Sequence, residues 1–328
     1  MKKTVFIGVD VSKKTIDYCS IQLDLSGIVN NDIKGFNELI TLINKRLKSD
    51  EQIRIAFENT GIYSQSLAEF CSKKEISFYE LVALDVKKSI GITRGKNDRV
   101  DAKRICAYAM EKSDKLKVSP AADSTLTRLK RLINLRDSLV ISKSGHIQRL
   151  KELQEVLDLN SKVLEIKVLN RIIKEYDEAI TKIKKEIEGI IKQSPAINRN
   201  FQLLCSIKGV GFVIAVYVIV YTKNFTCFAD SRKFSCYCGT APFQHQSGTS
   251  VRGKTKVSHL ANKKLKSILE MGARSAITCD PELRVYYKQR VESGKNKTST
   301  LNIIRNKLIH RMFAVINRQT PYIIKNAA

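Results

Sequence analysis

No apolar run in this chain reaches membrane-spanning length; the strongest, "VGFVIAVYVIVY" (210–221), is too short to cross a bilayer. The N-terminal "MKKTVFIGVDVSKK" starts like a secretory leader, but Asp10, Lys13 and Lys14 break its apolar stretch too early. The expectation is a cytoplasmic protein with no membrane partner. Zinc-type cysteine spacing is also missing. Of eight cysteines only Cys236 and Cys238 lie close, in "CYC", with a single residue between them. Small buried thiols in a reducing compartment are expected, with no disulfide and no zinc. Internal repeats and low-complexity tracts are absent, which excludes solenoid and fibrous classes.

Acids are scarce in one place above all. Residues 195–328 hold 22 Lys+Arg against 5 Asp+Glu, a net of +17, whereas residues 1–118 carry +5 and residues 119–194 carry +4. The whole chain of 328 residues is at +26. A surplus of that size calls for a polyanion, and nucleic acid is the simplest one. Hydrophobic residues make up 43% of the chain, enough for a folded core.

The N-terminal part reads as strands at 4–10, 15–22 and 27–33, a helix at 35–49, a strand at 54–58, a helix at 63–74 and a strand at 77–82. Three strands in a meander followed by alternating helix and strand predict a mixed sheet flanked by helices. After Pro120, residues 124–157 and 161–193 repeat apolar positions every three to four residues and contain no proline. That pattern predicts two long helices, paired as an antiparallel coiled coil or packed in an ordinary helical bundle. Pro195 opens a third part that is mainly helical. The expected class is thus α/β plus α, in three domains: 1–118, 119–194 and 195–328.

Four acids stand out against the basic background. Asp10 closes the apolar strand "TVFIGVD", and Glu58 closes "RIAFE". In "TRGKNDRVDAKRICAYA" (93–109), Asp98 and Asp101 are three apart and share one face if the segment is helical. Singly, each suits a turn carboxylate or a solvated helix start. Jointly, four acids from three elements suit a nuclease-type site, where divalent ions take hard oxygen ligands beside a phosphate.

The C-terminal third offers phosphate-binding candidates. Lys208 precedes the turn Gly209-Val210-Gly211 between two apolar stretches, a pattern resembling a helix-hairpin-helix. Its glycines can let backbone amides approach phosphate, or can serve only a tight turn. The segment "GTAPFQHQSGTSVRGKTKVSHLANKKLK" has Ser247 before a glycine, then Arg252, Lys254, Lys256 and His259, with Lys263, Lys264 and Lys266 following. A serine nucleophile at phosphorus needs such cations and a base or metal. His245 is one possible base; a hydrogen-bonding loop serine is the plainer alternative.

Taken in order, "FIGVDVSKKTIDY", "AFENTGIY", "KNDRVDAKRI", "IKGVGFVIAV" and "GTAPFQHQSGTSVRGKTKVS" resemble the DEDD transposases of bacterial insertion sequences. More narrowly they are similar to the insertion-sequence family numbered one hundred and ten, with its pilin-gene-invertase relatives. The resemblance covers nearly the whole chain; "VRGKTKVSHLANKKLK" is poorer in arginine than that family leads one to expect. It implies a RuvC-like, RNase H-type N-terminal domain whose DEDD acids fall on Asp10, Glu58, Asp98 and Asp101. It also implies a central coiled coil and a transposase domain with the serine on Ser247. The implied activity is RNA-guided, site-specific DNA recombination, with Mg²⁺ (or Mn²⁺ in its place) on the acids and a transient phosphoserine link. Donor and target DNA, a structured guide RNA and a homo-oligomer, dimer or tetramer, are the implied partners. Two other readings stay open on the residues: a metal-dependent, Holliday-junction-type nuclease that uses water, and a nucleic-acid-binding protein whose acids are structural.

Overall fold

The computed structural model describes residues 3–89, 98–121, 123–156, 164–247, 251–258 and 260–323. Two compact units divide between Thr127 and Arg128.

In the first unit, β1 (Lys3–Val11) runs "KTVFIGVDV" and is buried along most of its length, as a central strand covered on both faces must be. β2 (Thr15–Ser20) and β3 (Leu25–Asn30) follow as an antiparallel meander. Then come α1 (Ile33–Asn44), β4 (Glu51–Glu58), α2 (Ile62–Lys73), β5 (Phe78–Leu81), α3 (Ala83–Ser89) and α4 (Asp98–Glu111). The sheet order is β3-β2-β1-β4-β5, with β4 parallel to both β1 and β5. The mixed sheet expected from the sequence is therefore present.

The two faces of this sheet are covered differently. Odd positions of β1 (Val5, Ile7, Val9) join Ile16, Tyr18, Ile55 and Phe57 in a core with Phe36, Leu39 and Ile43 of α1. Those α1 positions recur at three and four residues, and Asp32 starts the helix by accepting from the amide of Gly35 at 2.8 Å. Even positions face the other way. Phe6 and Ala56 pack with Tyr79, Ile105, Cys106 and Ala109, so α4 covers this second face.

The second unit takes in most of α5 (Ser124–Val156), then α6 (Leu164–Gln193), α7 (Pro195–Cys205), α8 (Phe212–Tyr221) and α9 (Ser231–Tyr237). A hairpin of β6 (Pro242–Ser247) and β7 (Val251–Val257) precedes α10 (Lys263–Cys279), α11 (Pro281–Glu292) and α12 (Lys297–Arg318). α5 and α6 are the long helices expected. They run antiparallel, joined by Arg128 to Glu186, by Lys143 to Asp177 at 2.6 Å, and by the stacked rings of His146 and Tyr176. The core of this unit centres on α12, whose Leu301, Ile304, Leu308, Met312 and Val315 are all buried.

Candidate active site

Strand register brings two of the four predicted acids together. β1 and β4 are parallel and paired from Lys3 with Glu51 through Val9 with Phe57. The next residues along are Asp10 and Glu58, at the C-terminal ends of neighbouring strands about 4.8 Å apart. Side chains alternate across a sheet, so Asp10 lies on the face of Phe6 and Gly8, and Glu58 on that of Ala56. This is the face under α4.

Gly8 fixes the position of α4. A Cβ at Gly8 would stand 2.3 Å from the carbonyl oxygen of Ala102 and 2.3 Å from the amide nitrogen of Cys106. Only glycine lets the helix come this close. Cys106 also places its Sγ 3.4 Å from the carbonyl oxygen of Phe6. Contacts thus move from Cys106 toward Ala102 as β1 advances from Phe6 to Gly8. The helix runs opposite to β1, and its first turn, holding Asp98 and Asp101, belongs at the Asp10 end of the strand.

Asp10, Glu58 and Asp101 are all half-buried. Asp101 holds Arg104 at 2.8 Å, one turn along α4. The backbone of Asp98 opens α4, but its side chain lies outside the described residues. Among the described residues, no three or more Asp, Glu, Cys or His side chains are grouped closely enough to hold a metal ion. The structure therefore puts Asp10 and Glu58 side by side on one face of the sheet, with the first turn of α4 toward the same end. Their chemistry is uniform. Carboxylate oxygens without thiol or imidazole suit a hard divalent cation.

One acid escaped the sequence reading. Asp17 is directly opposite Asp10 in the antiparallel register of β1 and β2, and is 7% exposed. Cross-strand partners share a face, so Asp17 joins Asp10 under α4. A signal existed: in "TIDYCS", an acid alternates with Ile16 and Tyr18, both buried on the other face.

In the second unit, Ser247 is the last residue of β6 and pairs with Val251 across the hairpin end. The side chains of Ser247, His245, Arg252, Lys254 and Lys256 lie outside the described residues, as does all of His259. Lys263 and Lys264 open α10, which Asn262 caps by accepting from the amide of Leu265 at 3.0 Å. Lys263 is exposed. Lys264 is engaged instead, its Nζ 2.6 Å from the Asp137 carboxylate. Tyr217 donates its hydroxyl to that carboxylate, and Arg136 lies 3.2 Å from it. Burial, then Asp137, holds the Tyr217 phenol protonated well above its usual range.

The glycine turn divides into two roles. Gly209 has φ +90°, and a Cβ there would meet the Ala276 Cβ and the Gly272 carbonyl, each at 2.6 Å. It serves close packing on α10. Gly211 is extended and faces open space, and it starts α8 with no side-chain cap. Lys208 is exposed beside it. The Cys71 thiol is a poor nucleophile, since burial pushes it up to about 12.

Comparison with known proteins finds relatives of both parts of the chain. Residues 7–158 match the DEDD family model described as Transposase, drawn from IS110 elements. Residues 201–288 match the model described as Transposase IS116/IS110/IS902 family. The chain is similar to the pilin gene-inverting proteins of Moraxella bovis and Moraxella lacunata, each 26% identical over 332 aligned residues and covering 98% of both chains. It is also 26% identical to the transposase for insertion sequence element IS1111A of Coxiella burnetii, over 70% of this chain and 69% of that one.

Proposed function

The chain is a transposase of the IS110 family, an enzyme that recombines DNA, and from that premise we propose how its residues divide the work. It acts as an RNA-guided, site-specific recombinase with Ser247 as nucleophile and a divalent ion, Mg²⁺ or Mn²⁺, held by Asp10, Glu58, Asp98 and Asp101. The strand order β3-β2-β1-β4-β5, antiparallel then parallel, supports an RNase H-type first domain. The observation that carries the reading is the β1–β4 register, which ends with Asp10 beside Glu58 under the helix that Asp98 opens.

In this scheme the divalent ion supplies charge neutralisation beside the scissile phosphate. The Ser247 Oγ forms a bond to phosphorus as one strand P–O bond breaks. Its proton passes to a base, and the departing oxygen takes up a proton. A hydroxyl of the incoming strand later reverses the exchange, so no external energy source is consumed. The +17 surplus of residues 195–328 supports binding of polyanions, donor and target DNA and a structured guide RNA among them. Lys208 and the open Gly211 at the α8 start, with Lys263 on α10, are the described residues best placed to meet phosphate. We take the active form to be a homo-oligomer in the bacterial cytoplasm. A three-part division at 1–118, 119–194 and 195–328, with a central coiled coil, remains our reading of the chain's organisation.

Strand exchange on a plasmid substrate, with the guide RNA supplied, tests this. Ser247→Ala is expected to abolish exchange and the covalent protein–DNA adduct while leaving RNA binding intact. Recombination by that variant would refute the serine role. The acids, all within the first compact unit, favour one further reading, a nuclease that uses water. Cleavage without any adduct would favour it.

A further inference from the structure

The acids of the last third are spent in identifiable places. Glu270 answers Arg274 at 3.0 Å and the buried Arg305 at 2.5 Å. Asp280 and Glu282 both hold Arg311, at 2.6 and 2.7 Å. Asp230 caps α9 by accepting from the amide of Lys233. The fifth acid, Glu292, has no cation within 4.0 Å among the described residues. Glu292 ends α11 one helical turn beyond Lys288, so the three lysines around the α11–α12 connection face one carboxylate that none of them pairs.

Lys288 sits near the end of α11, Lys295 in the connecting turn and Lys297 at the start of α12. All three are exposed. Among the described residues none has a carboxylate within 4.0 Å. Further along the same helix pair, two more cations gather on a single ring: Lys307 Nζ lies 4.5 Å and the Arg290 guanidinium 5.9 Å from the centroid of Tyr286. Arg290 also buries its Nε with no hydrogen-bond partner among the described residues. These contacts bring two further positive charges to the α11–α12 pair, held on the Tyr286 ring and not by a carboxylate.

From these observations we propose that the α11–α12 ridge is a second DNA-backbone surface, separate in sequence from the serine hairpin and the Gly209–Gly211 turn. The partner is the phosphate backbone of duplex DNA. This rests on the transposase reading, which makes DNA the substrate. From Lys297 to Lys307 α12 advances about 15 Å. A duplex presents one charge per about 1.7 Å of axis, so roughly nine phosphate charges fall along that length. The contacts are to backbone and carry no base information.

The test compares full-length protein with the triple variant Lys288→Ala, Lys295→Ala, Lys297→Ala. Fluorescence anisotropy on a 30-base-pair duplex of arbitrary sequence is followed from about 50 to 200 mM salt. Each lost contact lowers the log–log salt slope by about 0.9, so the triple variant's slope falls by about 2.7, and its salt sensitivity across that range drops about 40-fold. A control triple, Lys34→Ala, Lys45→Ala, Lys48→Ala, removes the same charge from exposed sites in the first unit. Replacing the three ridge lysines by arginine should restore the slope. An unchanged slope, or one matched by the control triple, overturns the proposal. So does a slope that changes only on an RNA hairpin of equal charge and not on DNA. Wild-type protein that fails to bind the duplex at all would refute the transposase reading, not the ridge alone.

Discussion

Replacing Gly8 by alanine isolates the contact that positions α4 over the acids. The added methyl would lie 2.3 Å from two backbone atoms of α4 and 2.8 Å from a third, the Cys106 Cα. Ordinary contact needs at least 3.4 Å, so the helix must rise by about 1 Å. Overpacking of this kind costs about 1–3 kcal/mol. Lifting the helix also loosens Ile105, Cys106 and Ala109 from Phe6 and Tyr79, and the upper end, about 3 kcal/mol, is expected. For a unit of this size that is a fall of roughly 12 °C in its melting transition, at about 4 °C per kcal/mol. Scanning calorimetry of the full chain measures the transition, and amide hydrogen exchange in α4 reports where the fold opens. Because the clash is with backbone, adding Cys106→Ala should not rescue the variant. A Gly8→Ala protein within about 0.5 kcal/mol of wild type, or one restored by truncating Cys106, would refute this account of the helix position. Mn²⁺ binding, followed by titration calorimetry, should weaken with it, since Asp98 and Asp101 travel with α4.

The glycine turn gives a paired prediction. Gly209→Ala places a side chain at φ +90° against Gly272 and Ala276, and should cost about 2 kcal/mol or more in urea unfolding. Gly211→Ala meets open space and should cost no more than about 1 kcal/mol, the loss of a favourable N-cap residue, while lowering DNA affinity in an anisotropy titration if α8 amides meet phosphate. Tyr217 predicts an alkaline limit. Burial first, and Asp137 second, raise its pKa in the fold, so its contribution is intact below about pH 10, where the unfolded phenol also keeps its proton. It is lost as pH climbs above that value, because the unfolded chain then releases a proton that the native state retains. Tyr217→Phe should make the loss of stability above pH 10 shallower, and cost about 1–2 kcal/mol at neutral pH through the missing hydrogen bond to a charged group. An unaltered alkaline profile would rule out Tyr217 as a contributor.

Much of the first unit was legible because its strands are apolar, short and separated by turn residues. The meander, α1, β4, α2 and β5 all lie where alternation and periodicity put them. The hairpin at 242–257 was not legible: "PFQHQSGTSVRGKTKV" has too few apolar residues to alternate, so its pairing comes from backbone hydrogen bonds that leave no hydrophobic signature. Periodicity announced α5 and α6 but not the company they keep. In α5, Leu126, Leu129 and Ile133 are buried, while Ile141 further along is 68% exposed. A repeat of three to four residues records that an apolar stripe exists; how deeply each stretch is covered depends on elements distant in sequence.

The acids show the same limit more sharply. Asp10 and Glu58 were conspicuous because each ends an apolar strand, yet nothing local says that those strands are neighbours and parallel. Asp17 was passed over because an acid in an alternating strand reads as a solvent-facing residue. It would be one if the second face of the sheet were bare. Gly8 decides otherwise: by admitting α4 to within contact of the strand backbone, it covers that face and takes Asp17 out of water. Three carboxylates then share one side of three adjacent strands, β2, β1 and β4. On the face whose covering helix begins with Asp98, carboxylates from three strands make up the kind of donor set that a hard divalent cation would take.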